Sequence, residues 1–234
     1  TGVSLSVEMR EGKLEESERS EADDVTLRVF CGHRVASVSS NDFREGATLA
    51  ERAVAMARAA PEDPFAGLVP AGELASVFPD LELLDGVEVG AEALAERARE
   101  AEAAALAVKG VSRSGGASAS FRLSGIVLAT SEGFCGGYLV SRHGVSATAV
   151  AGEGTGMERD YDFDSRGFLS DLADPREIGR RAGERAVARL NPRKLSTRTA
   201  DIVYEPRAAR SLLGHFAGAI NGAAIARGTS FLKE

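Results

Sequence analysis

The chain has 234 residues, 44% hydrophobic and 27% charged, enough for a core that needs no disulfide or metal staple. A net charge of −7 and scattered Lys and Arg residues exclude a basic face for gripping phosphates, so nucleic acid is not expected as a direct partner. Cys31 and Cys135 form no CxxC pair, which favours a reducing, cytoplasmic setting with both as small buried hydrophobes.

In chain order, Val3 to Val7 alternates apolar and polar, Glu11-Gly12 marks a turn, and Leu14 to Ser20 reads as a polar edge strand. Val25 to Phe30 and Val35 to Ser39, joined at Gly32-His33, continue a predicted antiparallel meander. A helix follows, capped by Asn41 or Asp42, with Leu49, Ala53, Met56 and Ala60 on one face and Pro61 as its stop. The Pro/Gly-rich run 61–72 is a surface connection. A second helix spans about Gly90 to Lys109, with Leu94, Ala98, Ala101, Ala105 and Val108 inward. Its other face, Glu92, Glu96, Arg97, Arg99, Glu100 and Glu102, reads as solvated.

Four short strands are expected between Ala117 and Ala151, with turns at Ser131-Glu132-Gly133 and Arg142-His143-Gly144. Gly152 to Gly156 reads as a mobile loop rather than a phosphate cradle, since no P-loop lysine follows. Asp160-Tyr161-Asp162-Phe163-Asp164 superficially resembles a calcium loop. Ser165 replaces the required glycine, so a strand with aromatics on one face and carboxylates on the other fits better. Asp174-Pro175-Arg176-Glu177 is a capping-box pattern opening a third helix, with Ile178, Ala182, Ala186 and Leu190 inward and Asn191-Pro192 as its end. Thr199 to Glu205 is an expected strand, and Pro206 opens the last helix. Grouped strands with inserted helices, about four in number, give an α+β fold of antiparallel strand groups. An N-terminal domain over 1–198 and the start of a following segment over 199–234 complete the expected layout.

The last helix is the most informative segment. Leu212, Leu213, Phe216 and Ile220 make an apolar stripe, and Gly214, Gly218 and Gly222 recur every four residues. Interior helical glycine costs about 0.5–1 kcal/mol relative to alanine, which close approach of another backbone would offset. The region is interrupted by His215 and Asn221, so a membrane span is not expected. Gly214, His215, Gly218, Asn221 and Gly222 are therefore candidates for a packing surface or a peptide cleft. Zinc needs at least three N, S or O ligands, and no Asp, Glu, Cys or second His lies between Glu205 and Glu234. His33 and His143 fall in expected turns. No catalytic or metal residue is assigned, and no nucleophile elbow is present.

Several segments resemble the TldD/PmbA family, also called modulators of DNA gyrase. They are Val25 to Phe30 with Gly32, Ala55 to Pro64, Glu153 to Asp162, Ala186 to Lys194, and Leu212 to Phe231 with its Gly-His-Phe-Ala-Gly-Ala-Ile-Asn-Gly run. The resemblance implies a cytoplasmic protein of peptide processing. TldD-type members carry His-Glu-x-x-x-His in the corresponding helix. Here Gly214 and Ala219 stand in place of the two histidines and His215 in place of the glutamate. That departure implies the PmbA/TldE branch: a subunit without zinc of its own, paired with a zinc-bearing TldD-type chain and acting on a peptide or unfolded protein. An independent enzyme completed by a C-terminal half is an alternative, and so is a regulatory protein acting on DNA gyrase or its inhibitors. The resemblance also implies a longer protein continuing into a β-rich domain. The chain opens on Thr1-Gly2 without an initiator methionine and reads as truncated there.

Overall fold

The computed structural model describes residues 1–233 and divides them into two compact units, one over 1–192 and one from Arg193 onward. The first unit begins with the alternating segment as β1 (Gly2–Arg10), which turns back into β2 (Lys13–Ala22). Glu11 and Gly12 take φ of 50° and 71°, the double positive φ of a type I′ hairpin whose twist matches its strands. The expected meander stops there. After Asp23-Asp24, β3 (Val25–Cys31) and β4 (Arg34–Ser40) pair only with each other, as a separate two-stranded sheet. Two adjacent carboxylates are poor strand formers, and they fall at the break.

A single helical turn capped by Asp42 leads into α1 (Gly46–Ala59). Leu49 and Ala53 bury against Val25, Leu27, Val29 and Val38, and Ala57 is buried one turn further on. Met56, expected inward, is exposed, because the i, i+4, i+8 row ending at Ala57 is the one that meets the ribbon.

The main sheet has the order β2-β1-β5-β6-β7, antiparallel throughout. The four short strands expected between Ala117 and Ala151 are two long ones, β5 (Val111–Ala129) and β6 (Cys135–Ala151). The expected turn at Arg142-His143-Gly144 is continuous ladder, with His143 opposite Phe121. Gly144 needs no turn: it permits close pairing, since a Cβ there would lie 2.9 Å from Ser120 Oγ.

Helices α2 (Ala91–Leu106) and α3 (Pro175–Ala188) pack on this sheet through alanines. Ala98, Ala101 and Ala105 meet Ala117, Ala119, Ala147 and Ala149, with Ile178, Ala182 and Ala186 beside them. Small side chains alone do not bring two helices this close. A Cβ on Gly179 would lie 1.9 Å from the carbonyl oxygen of Ala101, and one on Gly183 would lie 2.9 Å from that of Ala105. The close backbone approach therefore sits at Gly179 and Gly183, one helical turn apart.

Strand β7 (Glu158–Arg166) keeps the expected alternation. Tyr161 and Phe163 stack in solvent, while Asp160 and Asp162 are buried. Asp162 accepts from Arg181 Nε at 2.6 Å and from Arg185, and Asp160 pairs with Arg189 at 3.3 Å. Two strand residues advance about 6.6–6.8 Å and four helical residues about 6.0 Å, so the carboxylates and arginines stay nearly in step. Asp174 caps α3 by accepting from Arg176 N at 2.8 Å, with Pro175 at the first position. Glu177 turns to Arg180 instead of closing the capping box.

The second unit holds α4 (Pro206–Ala219) and α5 (Gly222–Ala226). Thr199 to Glu205 pairs with no strand among the described residues. Ile202 and Val203 are exposed there, so the expected strand has no ladder to join. The α+β class holds, with five α-helices among the described residues rather than about four.

Candidate functional site

The single last helix of the sequence reading is two helices. Pro206 starts α4 with its fixed φ, and the helix ends at Ala219. Asn221 then caps α5, its side chain accepting from Ala224 N at 3.1 Å. Ser230 Oγ donates to Ala219 O at 2.6 Å, satisfying one of the carbonyls left at the end of α4.

This break changes the glycine row. Gly214 and Gly218 share α4, whereas Gly222 opens α5 on a new axis. A Cβ built on any of the three meets no atom within 4 Å among the described residues. The packing surface expected at these glycines is thus open, and Leu212, Leu213, Phe216 and Ile220 are exposed alongside it. His215 is exposed on the same helix. It is the one histidine on α4 and α5, and neither helix carries a carboxylate or thiol. Zinc takes three or four such donors, so these two helices alone do not fit it. Among the described residues no group of three His, Cys, Asp or Glu side chains is placed to hold a metal ion.

The other two histidines lie in the first unit. His33 is exposed beside the β3–β4 turn, as expected. His143, expected at an exposed turn, is fully buried in β6 with Asp85 Oδ2 3.2 Å from Nε2. Burial holds its imidazole below the ordinary histidine range; Asp85 pulls the other way, and Arg97 adds to the depression. Asp85 is held below the usual carboxylate range chiefly by the Leu169 amide it accepts from. Asp85 stands 58 residues before its histidine in a stretch without helix or strand, so spacing and periodicity gave no sign of the pair.

No helix among the described residues is long and apolar enough to cross a membrane. Cys31 and Cys135 are both free thiols, and neither is the buried hydrophobe expected: Cys31, at the end of β3, is half-buried and Cys135, at the start of β6, is exposed.

Set against known proteins, residues 1–57 match the model described as PmbA/TldA metallopeptidase domain 1, and residues 85–190 match its central domain. The whole chain aligns with metalloprotease PmbA of Escherichia coli O157:H7 at 35% identity and with a PmbA homologue of Haemophilus influenzae at 31%. The chain spans 52% of the length of each. A solved Bacteroides thetaiotaomicron structure described as a modulator of DNA gyrase superposes with a TM-score of 0.88 at 23% identity, over 99% of this chain and 54% of that one. TldE from Thermococcus kodakarensis superposes at 0.64 with 17% identity, over 79% of this chain and 42% of that one. At those identities the structures establish a shared fold. With the two domain models matched in order along that fold, the chain belongs to the PmbA/TldD family.

Proposed function

We propose that this chain is part of a PmbA/TldE-type subunit that binds no zinc itself. It works beside a TldD-type chain that does, in the cytoplasm, on peptide or unfolded protein. One observation carries the reading: α4 presents Gly214, His215 and Ala219 where the family resemblance places His, Glu and His. A single imidazole with no neighbouring donor cannot supply a zinc site, nor can it replace the glutamate that would activate a metal-bound water. The E. coli relative's name, metalloprotease PmbA, supports peptidase chemistry for the assembly.

In this reading the exposed face of α4, with Gly214, His215 and Gly218, and the start of α5, with Asn221 and Gly222, contribute shape rather than chemistry. The native-length protein carrying this chain is purified alone and after co-expression with a TldD-type chain. Alone it should hold no stoichiometric zinc and cleave no unfolded peptide; the co-purified pair should do both. Zinc-dependent cleavage by the lone protein would overturn the reading. A gyrase complex that forms without any TldD-type chain would support the regulatory alternative, which the Bacteroides relative's description motivates.

A further inference from the structure

The stretch between α1 and α2, residues 60–90, holds a single helical turn (Ala71–Glu73) and no strand. A connection this long gains little from its own backbone, so what fastens it decides whether it stays put. Near its start Asp63 N donates to His33 O at 2.8 Å and Glu62 pairs with Arg34, and near its end Val89 is buried in the core cluster with Leu94. Between these ends, one fastening is the T-shaped contact of Phe78 with Phe134. Another is polar and gathers on Asp85. Its backbone N donates to Ser141 Oγ at 2.7 Å, and Ser141 N donates to Leu83 O at 3.1 Å. The Asp85 carboxylate accepts from Leu169 N at 2.7 Å and from Val87 N at 3.2 Å, and it lies 3.2 Å from His143. Ser141 Oγ also donates to Gly167 O at 2.9 Å. One carboxylate and one hydroxyl therefore tie three pieces of backbone together: the 60–90 connection, β6, and the approach to α3.

The ring at the centre of this knot is poorly provided for. His143 has no exposed surface, and neither of its nitrogens makes an aligned hydrogen bond. Phe121 covers it, with ring centroids 5.1 Å apart. Arg97 faces it from α2 and bears on its charge, and Arg166 sits opposite it on β7. Against these two cations stand Asp85 and Asp164, and Asp164 is already engaged by Arg166 and by Ala173 N. A proton added to the ring makes a buried imidazolium between an arginine and an aromatic wall, and Asp85 offsets that burial only in part. A proton added to Asp85 removes the charge that holds the Leu169 and Val87 amides.

We propose that Asp85 and His143 form a proton-operated latch, which fastens the 60–90 connection to the sheet and releases it when the pair takes up protons. Lifting Asp85 away exposes His143 Nε2 to water, so the open form binds a proton more readily than the closed one. The closed-form ring is held below its ordinary value of 6.5. Opening is thus coupled to uptake of one proton as pH falls below that value. The open-to-closed ratio rises by up to about tenfold per pH unit until the closed form also protonates.

Hydrogen–deuterium exchange of the native-length protein tests this. Peptides covering 78–90 and 165–173 are followed from about pH 7.5 to about pH 5.5 and corrected for intrinsic exchange. Opening should increase together in both peptides as pH falls. In His143→Gln, which stays neutral and still reaches Asp85, it should be independent of pH. Opening that ignores pH in the unaltered protein, or pH dependence that survives in H143Q, overturns the latch. Should H143Q fail to fold, ring NMR of the unaltered protein decides. A His143 midpoint below 6.5 that coincides with opening sustains the proposal, and one at or above that value refutes it. Neither readout depends on peptidase activity, so failure of the latch and failure of the subunit reading are separate results.

Discussion

Glu102, in the middle of α2, holds the hairpin residue Gly12 by its backbone: Oε2 lies 2.8 Å from the Gly12 amide, and Oε1 lies 2.7 Å from that of Glu11. The side chain is only 2% exposed, against the expectation of a solvated charge. Glu11 is a non-glycine residue at positive φ, and this double acceptor fixes the turn that requires it.

Glu102→Ala leaves two amides facing a site the carboxylate had filled. The expected loss is about 3–6 kcal/mol, given that two hydrogen bonds are lost and those to charged groups contribute about 1.5–3 kcal/mol each. Glu102→Gln keeps one acceptor and should lose about half as much. Urea unfolding of the chain measures both, and equal effects would show that packing, not acceptance, is what matters.

Glycine-to-alanine changes should split into two groups. Gly179→Ala drives a methyl into the Ala101 carbonyl, and the loss should reach about 3 kcal/mol or more. Gly214→Ala and Gly218→Ala meet open space and should stabilise α4 in this chain by about 0.5–1 kcal/mol. Calorimetry that ranked the three alike would contradict the placement of close packing at α2 and α3.

Asp162→Ala removes the shared partner of Arg181 and Arg185 and leaves both guanidinium groups beside a buried strand. Breaking a fully buried pair from one side costs about 3–5 kcal/mol, and since the two arginines are 37% and 32% exposed the loss here should be smaller, about 1–3 kcal/mol. Replacing all three residues by apolar side chains of similar volume should cost far less. Chemical denaturation of the single and triple variants gives the comparison.

Stability should fall in mild acid. The folded pKa of His143 is depressed, so its contribution is present above the unfolded value of 6.5 and is lost as pH drops through the folded one. The depressed Asp85 extends the same trend lower: its contribution holds above 3.8 and disappears below its folded value. Thermal melts should show a falling midpoint in two stages, the His143 stage below 6.5 and the Asp85 stage only below 3.8, so the series runs from about pH 7.5 to about pH 2. A midpoint flat down to about pH 5 would exclude a buried neutral His143.

Local signals read well from the sequence. The Asp174-Pro175 start of α3 and the alternation of aromatics and carboxylates along β7 stand in the structure as expected, though only the structure shows that the carboxylates are the buried face. What did not read were partnerships across long separations. Glu102 lies on the polar side of a helix by every periodic measure, and only the fold brings a turn 90 residues earlier beneath it. His143 has a glycine beside it and an arginine before it, the usual dress of a turn, yet the ladder from β5 runs straight through. Glycine spacing failed in an instructive way. Gly179 and Gly183 repeat the four-residue interval of Gly214 and Gly218, and spacing alone could not say which pair meets a neighbouring backbone.

The Asp–Arg rungs between β7 and α3 have a bearing on how the edge of the sheet is assembled. A shift of β7 by one residue along β6 would turn Asp160 and Asp162 toward water and slide Tyr161 and Phe163 beneath Arg181 and Arg185. Several paired charges would be separated in one step, while a shift of two would leave a rung empty at one end. Misalignment is thus penalised at every increment, and the terminal strand carries its own alignment key.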